Sequence, residues 1–225
     1  MNRIRATLLI LLPLLVVSMF SLAKERIGIL HEERSLYTRI LVHKVNNLLC
    51  MKFTLVRSDS NQSCKDLSAP KRLVFAYARM TMTALLFNRH PQKILIVGLG
   101  GGTLPEAFFD LLDNVKIDTV EIDPAVIKVA KEYFLFEDNE RKRVIAQDAR
   151  VFIKRTILQS TEYDLVILDA FNGDYIPEHL MTKEFLLEVQ KVLSRDGVLV
   201  ANTFGTSKLY DYESNTYQDV FGSFI

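Results

Sequence analysis

The chain has 225 residues, of which 49% are hydrophobic and 24% are charged, and its formal net charge at neutral pH is +1. Such a chain can bury a full core, either as one large domain or as one domain with a small partner. It contains no basic tract interleaved with aromatic residues, and its His and Cys residues lack the spacing of a structural metal site. We therefore expect neither a nucleic-acid partner nor a bound metal.

The N-terminal segment differs in composition from the rest of the chain. Arg3 and Arg5 precede an uncharged, mainly apolar run from Ala6 to Leu22, and Ser21-Leu22-Ala23 resembles a signal-peptide cleavage site. A run of about 17 residues is also at the lower limit for a spanning helix. We expect residues 1–23 to be a signal peptide that exports the protein, for example to the periplasm, or a membrane anchor. An anchor whose C-terminal side faces the cytoplasm is the alternative.

Residues 24–70 are expected to form a small β domain, because short runs in this segment alternate apolar and polar side chains. Ile40 and Val42 belong to one such run. Cys50 and Cys64 flank a second segment that could be a hairpin. The two cysteines can form a disulfide in an oxidising compartment, and two unpaired thiols are the equally open alternative.

Residues 71–225 alternate predicted helices with predicted strands, which is typical of an α/β domain with a parallel sheet. The predicted helices are 71–88, 103–112, 124–134, 149–158 and 182–193. The predicted strands are 94–97, a strand ending at Glu121, 144–146, 165–168 and 198–203, and Arg195-Asp196-Gly197 is predicted as a turn. In such domains, ligands bind beyond the carboxyl ends of the strands.

The segment between the first two of these strands predicts a nucleoside site. A glycine-rich turn follows the first strand and can approach a ligand closely; its glycines are Gly98, Gly100, Gly101 and Gly102. The next helix points free N–H groups at such a ligand, and Glu121 follows at roughly the 20-residue spacing at which a carboxylate reaches ribose hydroxyls. Thr103 replaces the Gly or Ala of a dinucleotide fingerprint, which favours a single adenosine-type cofactor.

Three acidic residues stand at three successive strand ends, and this repetition is the strongest functional signal in the sequence. They are Glu121, Asp148 and Asp169. Each also has a structural interpretation: a solvated loop acid, a helix N-cap and an Asx turn, respectively. Their common position at the predicted ligand edge favours the functional interpretation.

Four motifs follow one another in this part of the chain: GLGGG, VEIDPAVIKVAKEYF, QDARVFIK and YDLVILDAFNGDYIPEHLMTKEF. With these motifs the chain resembles the spermidine synthase (polyamine aminopropyltransferase) family. The resemblance implies a Rossmann-like class I S-adenosylmethionine-dependent methyltransferase fold, preceded by the small β domain. It also implies that Glu121 binds the ribose, that Asp148 and Ala149 contact the adenine, and that the turn from Gly98 to Gly102 lies against the sulfonium. Asp169 and the loop after it would face the amine.

The resemblance further implies transfer of an aminopropyl group from decarboxylated S-adenosylmethionine to a small amine, as in polyamine biosynthesis. The co-substrate would be this nucleoside or S-adenosylmethionine itself, no metal is implied, and the assembly could be a homodimer. A neutral amine must attack the carbon beside the sulfonium, so a carboxylate is needed to accept a proton. The candidates for that carboxylate are Asp169 and Asp174. The candidate substrate residues are Tyr77, Asn172, Tyr175 and Gln62.

The chain departs from the family pattern on the substrate side. The usual D-S-S-D reads Asp169-Ala170-Phe171-Asn172, and the amide of Asn172 cannot replace the second Asp as a base. Asp174 is the candidate substitute. The family's Tyr-His-Glu motif reads Tyr77-Ala78-Arg79, and we expect the cation of Arg79 to repel a diamine.

These departures leave two further hypotheses. One is a methyltransferase that uses S-adenosylmethionine, and the other is a non-catalytic nucleoside-binding homologue. The sequence also ends before the last strand pair that the family fold would need, so an exposed sheet edge is expected.

Overall fold

The computed structural model describes residues 28–53, 61–170, 176–203 and 210–223. The signal peptide or anchor predicted for residues 1–23 lies outside these ranges, and so do Asn172, Asp174 and Tyr175. Within the described ranges, no helix is long and apolar enough to cross a membrane.

The first part of the described chain is a four-stranded antiparallel sheet, as the alternating pattern predicted. Its strands, which lie in the order β1-β2-β3-β4, are β1 (Gly28–Arg34), β2 (Arg39–Val45), β3 (Leu48–Phe53) and β4 (Ser63–Asp66). Ile40 and Val42 are fully buried on one face of β2, opposite Phe53 and Met51 of β3. This apolar face needs a partner in order to be covered.

Cys50 and Cys64 are directly opposite each other in the pairing of β3 with β4, and they form a disulfide. The cross-strand register places the two Cα atoms 4.1 Å apart. The sequence left open whether these cysteines are bonded or are two unpaired thiols, and in the structure they are bonded.

The second part of the described chain is a parallel five-stranded sheet with helices on both faces, which confirms the predicted α/β class. Its strands lie in the order β7-β6-β5-β8-β9. They are β5 (Lys93–Val97), β6 (Lys116–Glu121), β7 (Lys142–Ala146), β8 (Tyr163–Leu168) and β9 (Leu193–Ala201). The helices are α1 (Ala76–Thr81), α2 (Thr103–Leu111), α3 (Pro124–Tyr133), α4 (Ala149–Leu158), α5 (Lys183–Gln190) and α6 (Tyr210–Phe221), with 3₁₀ turns at Met82–Leu86 and Glu178–Leu180.

The predicted bounds of two helices and one strand were wrong, and the strand predicted at 198–203 is β9, Leu193–Ala201. The helix predicted at 71–88 begins only at Ala76 and continues as a 3₁₀ turn. The helix predicted at 182–193 ends at Gln190, and the predicted turn lies inside β9. There the register with β8 shifts from Tyr163↔Leu193 to Leu165↔Val198. The predicted turn residues, Arg195 to Gly197, therefore lie in an irregular part of β9. The Asp-Gly sequence that predicted a turn is accommodated by this irregularity, and the strand continues beyond it.

The central strand β5 is buried on both faces, which explains its uninterrupted apolar sequence. Leu95 and Val97 pack into the cluster that includes residues of α4 and α5, whereas Ile94 and Ile96 pack into the cluster that includes residues of α1 and α2. Among the described residues, β9 pairs only with β8 and forms one edge of the sheet.

Helix α3 covers the apolar face of the N-terminal sheet. The helix begins where the sequence predicted: Asp123 caps α3 by accepting a hydrogen bond from the Ala125 N–H, and Pro124 occupies the first turn. Val126 and Val129 of this helix pack against the buried residues of β2 and β3. Helix α3 thereby holds the N-terminal sheet beside the carboxyl edge of the parallel sheet.

The register of the parallel sheet aligns four residues in one row at its carboxyl edge. The last paired positions are Val97↔Val120 and Val97↔Leu168, with Leu168↔Ala201 beyond them. The next residue on each of the four strands β6, β5, β8 and β9 therefore belongs to the same row, whose members are, in that order, Glu121, Gly98, Asp169 and Asn202. Neighbouring residues at one level of a parallel sheet point to the same side, so the row's three side chains are brought together.

Gly98 is the one member of this row without a side chain, and the backbone requires that. Its φ is +102°, and an added Cβ would lie 2.3 Å from the carbonyl oxygen of Asp169. Such a contact is impossible without moving β5 away from β8. Glycine at this position therefore permits the close approach of two strand ends and leaves open space between Glu121 and Asp169.

We predict that Gly98→Ala lowers the free energy of unfolding by at least about 2 kcal/mol. The new methyl group would clash with the Asp169 carbonyl oxygen, and alanine would also be strained at a positive φ. Thermal and denaturant unfolding measure this loss. Gly28→Ala is the matched control, since the nearest atom to its added Cβ is 3.9 Å away and its φ is not positive. Equal unfolding curves for Gly98→Ala and the native protein would contradict the assigned constraint.

Candidate functional site

A cavity of about 540 Å³ lies between the carboxyl edge of the parallel sheet and the N-terminal sheet. Its volume is within the range of pockets that bind drug-sized ligands, and most of its wall is apolar. The row described above forms one side of the cavity. The other side is built by residues of the N-terminal sheet, among them Tyr37, Thr38, Phe53, Gln62 and Ser63.

The glycine turn serves the protein's own packing as well as the cavity. Gly98 and Gly100 line the cavity. Gly101 and Gly102 pack behind it, where added Cβ atoms would lie 2.6 Å and 2.4 Å from the rings of Phe134 and Phe136, respectively. Of the four glycines predicted to lie against a ligand, only Gly98 and Gly100 are therefore in a position to do so.

Glu121 is held by two backbone donors at the end of β6. Its Oε2 accepts a hydrogen bond from the Leu99 N–H, and its Oε1 accepts one from the Asp123 N–H, both at 3.0 Å. Burial raises the pKa of the Glu121 carboxyl, and these two donors oppose the rise. The side chain lines the cavity. Glu121 thus lies where a residue that binds the ribose is expected, and binding of the ribose by Glu121 stays a prediction.

Asp148 combines a structural contact with a position in the cavity wall. One carboxylate oxygen caps α4 by accepting a hydrogen bond from the Val151 N–H at 2.9 Å, and the other lies 3.0 Å from Nε2 of His179. Asp148 and Ala149 both line the cavity. The N-cap interpretation and the predicted place at the ligand edge are therefore compatible with each other.

Asp169 lies in a buried environment at the end of β8, beside two hydrogen-bond donors and near the charge of Glu121. Its Oδ1 accepts a hydrogen bond from Nδ2 of Asn202 at 2.8 Å, and its Oδ2 accepts one from the Tyr77 hydroxyl at 3.2 Å. Burial is the main cause that raises the pKa of the Asp169 carboxyl, the two donors oppose the rise, the charge of Glu121 adds to it, and the resulting pKa is about 6. A carboxyl with this pKa is mostly ionised at neutral pH and can accept a proton.

The structure describes two of the four predicted substrate residues. Tyr77 of α1 and Gln62, which directly precedes β4, both line the cavity. Burial and the neighbouring charge of Asp169 raise the pKa of the Tyr77 hydroxyl, so it remains a hydrogen-bond donor. Asn172, Asp174 and Tyr175 lie outside the described residues.

The expected repulsion of a diamine by Arg79 was wrong. The guanidinium is exposed, does not line the cavity, and donates hydrogen bonds to the carbonyl oxygens of Leu73 at 2.8 Å and Val74 at 2.7 Å. Helical geometry explains the difference, because residues two apart on a helix point to different sides. Tyr77 faces the cavity, so Arg79 faces away from it.

Asn202 is the site residue that the sequence analysis missed. It follows β9, lines the cavity and contacts Asp169. The rule that located Glu121, Asp148 and Asp169 at strand ends did not find it, because the fifth strand was predicted to continue to residue 203, whereas β9 ends at Ala201. Within the described ranges, no group of His, Cys, Asp or Glu residues could hold a metal ion.

Comparisons with known proteins agree with this geometry. Residues 74–222 match the family model described as the spermine/spermidine synthase domain. The chain is 50% identical over 210 residues to a polyamine aminopropyltransferase of Vibrio vulnificus, covering 93% of this chain and 70% of that protein. The crystal structure of a probable spermidine synthase from Corynebacterium glutamicum has the same fold, with a TM-score of 0.72 and 23% identity over 85% of this chain and 70% of that one.

A more distant similarity is to a methyltransferase. The N-terminal histidine N-methyltransferase of Emericella nidulans is 37% identical over 121 residues, which cover 53% of this chain and 21% of that protein. The match to the aminopropyltransferase is higher in identity and extends over nearly the whole chain. The protein therefore belongs to the spermine/spermidine synthase family.

Proposed function

We propose that the protein transfers an aminopropyl group from decarboxylated S-adenosylmethionine to an amine, a step of polyamine biosynthesis. The observation that carries this proposal is the environment of Asp169. A carboxylate with a pKa raised to about 6 lies at the wall of a cavity that is large enough for a nucleoside. The chain that builds this site is 50% identical to a polyamine aminopropyltransferase.

The proposed chemistry is a displacement at carbon. The acceptor arrives as an ammonium, whose pKa is roughly 10, and gives one proton to Asp169. The freed nitrogen lone pair forms a bond to the methylene carbon beside the sulfonium. The electrons of the breaking C–S bond return to sulfur, and methylthioadenosine is the leaving product. The new secondary ammonium carries the positive charge that the sulfonium loses, so atoms and charges balance without a metal.

The donor would lie along the row, with its nucleoside toward α3 and α4. Glu121 would bind the ribose hydroxyls, Asp148 and Ala149 would contact the adenine, and the first half of the glycine turn would face the sulfonium. In support of this placement, these residues line the same cavity. S-adenosylmethionine is the alternative donor.

The acceptor would lie between Asp169 and the N-terminal sheet. Tyr77 and Gln62 line the cavity, and the Tyr77 hydroxyl contacts Asp169, which supports their predicted contact with substrate. Asn172, Asp174 and Tyr175 keep their predicted roles, including that of Asp174 as a second acid. A homodimer likewise stays a prediction.

Titration of the protein with the two donors tests the proposal against the methyltransferase hypothesis, which the similarity to the histidine N-methyltransferase keeps open. We expect decarboxylated S-adenosylmethionine to bind more tightly than S-adenosylmethionine, and incubation with a diamine to release methylthioadenosine. A preference for the carboxylated donor, with S-adenosylhomocysteine as product, would reject aminopropyl transfer. Tight nucleoside binding without turnover of any amine would support the non-catalytic hypothesis.

The ionisation of Asp169 predicts the pH dependence of the reaction. Because the base acts in its ionised form, kcat/KM should rise with pH through about 6, the pKa of this carboxyl. Asp169→Asn should lower kcat by roughly 10²- to 10⁴-fold at all pH values, with nucleoside binding retained. Asp196→Asn, an exposed change in the irregular part of β9, is the matched control. A fully active Asp169→Asn protein would refute the assignment.

We propose that residues 1–23 export or anchor the protein, with an anchor facing the cytoplasm as the alternative. The apolar run in this segment supports the proposal, and so does the Cys50–Cys64 disulfide, since disulfides persist in oxidising compartments. Sulfonium nucleosides are made inside cells, which favours the alternative. Alkaline phosphatase fused after Ala23 should be active if the segment exports. An inactive phosphatase together with a fluorescent cytoplasmic reporter at the same position would reverse the proposal.

A further inference from the structure

Asn202 stands beside Asp169 because of the sheet register. Leu168 of β8 pairs with Ala201 of β9, so the next residue on each strand lies at the same level. The backbone N–H of Asn202 donates to the carbonyl oxygen of Leu168 at 2.9 Å, which fixes its position independently of its side chain. Its side-chain Nδ2 then donates to Oδ1 of Asp169 at 2.8 Å.

The two oxygens of the Asp169 carboxylate therefore have chemically different partners. Oδ1 faces the Asn202 amide nitrogen, which can donate hydrogen bonds but cannot accept one. Oδ2 faces the Tyr77 hydroxyl at 3.2 Å, which can donate a hydrogen bond or accept one. A proton on Oδ1 would point at another donor, whereas a proton on Oδ2 could be donated to the Tyr77 oxygen. The amide of Asn202 thus makes the two protonation sites unequal.

We propose that Asn202 is a positioning residue that fixes the Asp169 carboxylate and directs the proton of the acceptor amine to Oδ2. This proposal rests on the proposed aminopropyl transfer. Asn202 itself touches neither reacting atom and acts through Asp169. Its amide restrains the rotation of the carboxylate, keeps Oδ1 occupied, and leaves Oδ2 as the oxygen that accepts the proton.

The charged surroundings of Asp169 make the contribution of this amide measurable. The titratable groups that act on Asp169 are Glu121 at the end of β6, whose charge raises its pKa, and Tyr77 of α1, whose hydroxyl lowers it. Asp148 and His179 also line the cavity, and neither is among the groups that shift the pKa of Asp169. The Asn202 amide lowers the pKa of Asp169, so its removal must raise that pKa.

Two substitutions test the role, and one exposed asparagine provides the control. Asn202→Ala removes the donor. We expect the acidic limb of kcat/KM to move up by about one pH unit, so that a severalfold loss at pH 6 recovers in mildly alkaline solution. Asn202→Asp keeps the side-chain shape and places a second carboxylate beside Asp169, so the limb should move further in the same direction. Asn215→Ala on the exposed face of α6 should leave the limb unchanged.

Two further readouts separate positioning from a general structural effect. Titration with methylthioadenosine should give dissociation constants within about twofold of the native protein, because the proposed nucleoside contacts are unchanged. An acidic limb that does not move in either variant would overturn the proposal, and so would a loss of turnover that is equal at every pH. Either result would mean that the amide does not act through the ionisation of Asp169.

A measurement without turnover keeps this proposal independent of the proposed function. The pKa of the Asp169 carboxyl can be followed by carbon-13 NMR, with Asp169→Asn used to assign the signal. An upward shift of that pKa in Asn202→Ala would support positioning even if no amine were turned over, in which case the proposed function alone would fail. An unchanged pKa would reject positioning even in an active enzyme.

Discussion

The close approach of β5 and β8 at Gly98 is the constraint on which the site depends. A side chain at this position would lie 2.3 Å from the carbonyl oxygen of Asp169, so any other residue would separate the two strand ends. The same missing side chain leaves the gap between Glu121 and Asp169 in the row. One backbone requirement therefore produces both the register that aligns the acids and the space in which a ligand can lie between them.

The N-terminal sheet completes the site by packing against the same turn. An added Cβ at Gly101 would lie 2.8 Å from Oγ of Ser63, the first residue of β4, and Lys65 of that strand donates a hydrogen bond to the carbonyl oxygen of Phe134 at 2.6 Å. The disulfide at Cys64 ties β4 to β3 between these two contacts. The cavity is thus closed by a sheet whose position depends on small residues in the turn, and the glycines serve packing as much as ligand approach.

The sequence was informative wherever a local rule and the tertiary structure required the same residue. The apolar run of β5, the Asp123-Pro124 helix start and the acids at strand ends satisfy rules that hold within a few residues, so they could be predicted. Arg79 was misjudged because a motif alignment gives the order of residues and not the side of the helix on which each one lies. Asn202 was missed because its importance comes from the register with β8, which joins residues more than thirty positions apart.

Charge balance links the donor to the base in the proposed reaction. Only Gly98 separates Asp169 from Glu121 in the row, and the charge of Glu121 raises the pKa of Asp169. A sulfonium bound in the gap would offset this repulsion and favour the ionised carboxylate that the reaction needs. After transfer the sulfur is a neutral thioether and Asp169 is protonated, so the attraction that held the nucleoside is lost on both sides. The same two carboxylates would therefore favour donor binding before the chemical step and nucleoside release after it.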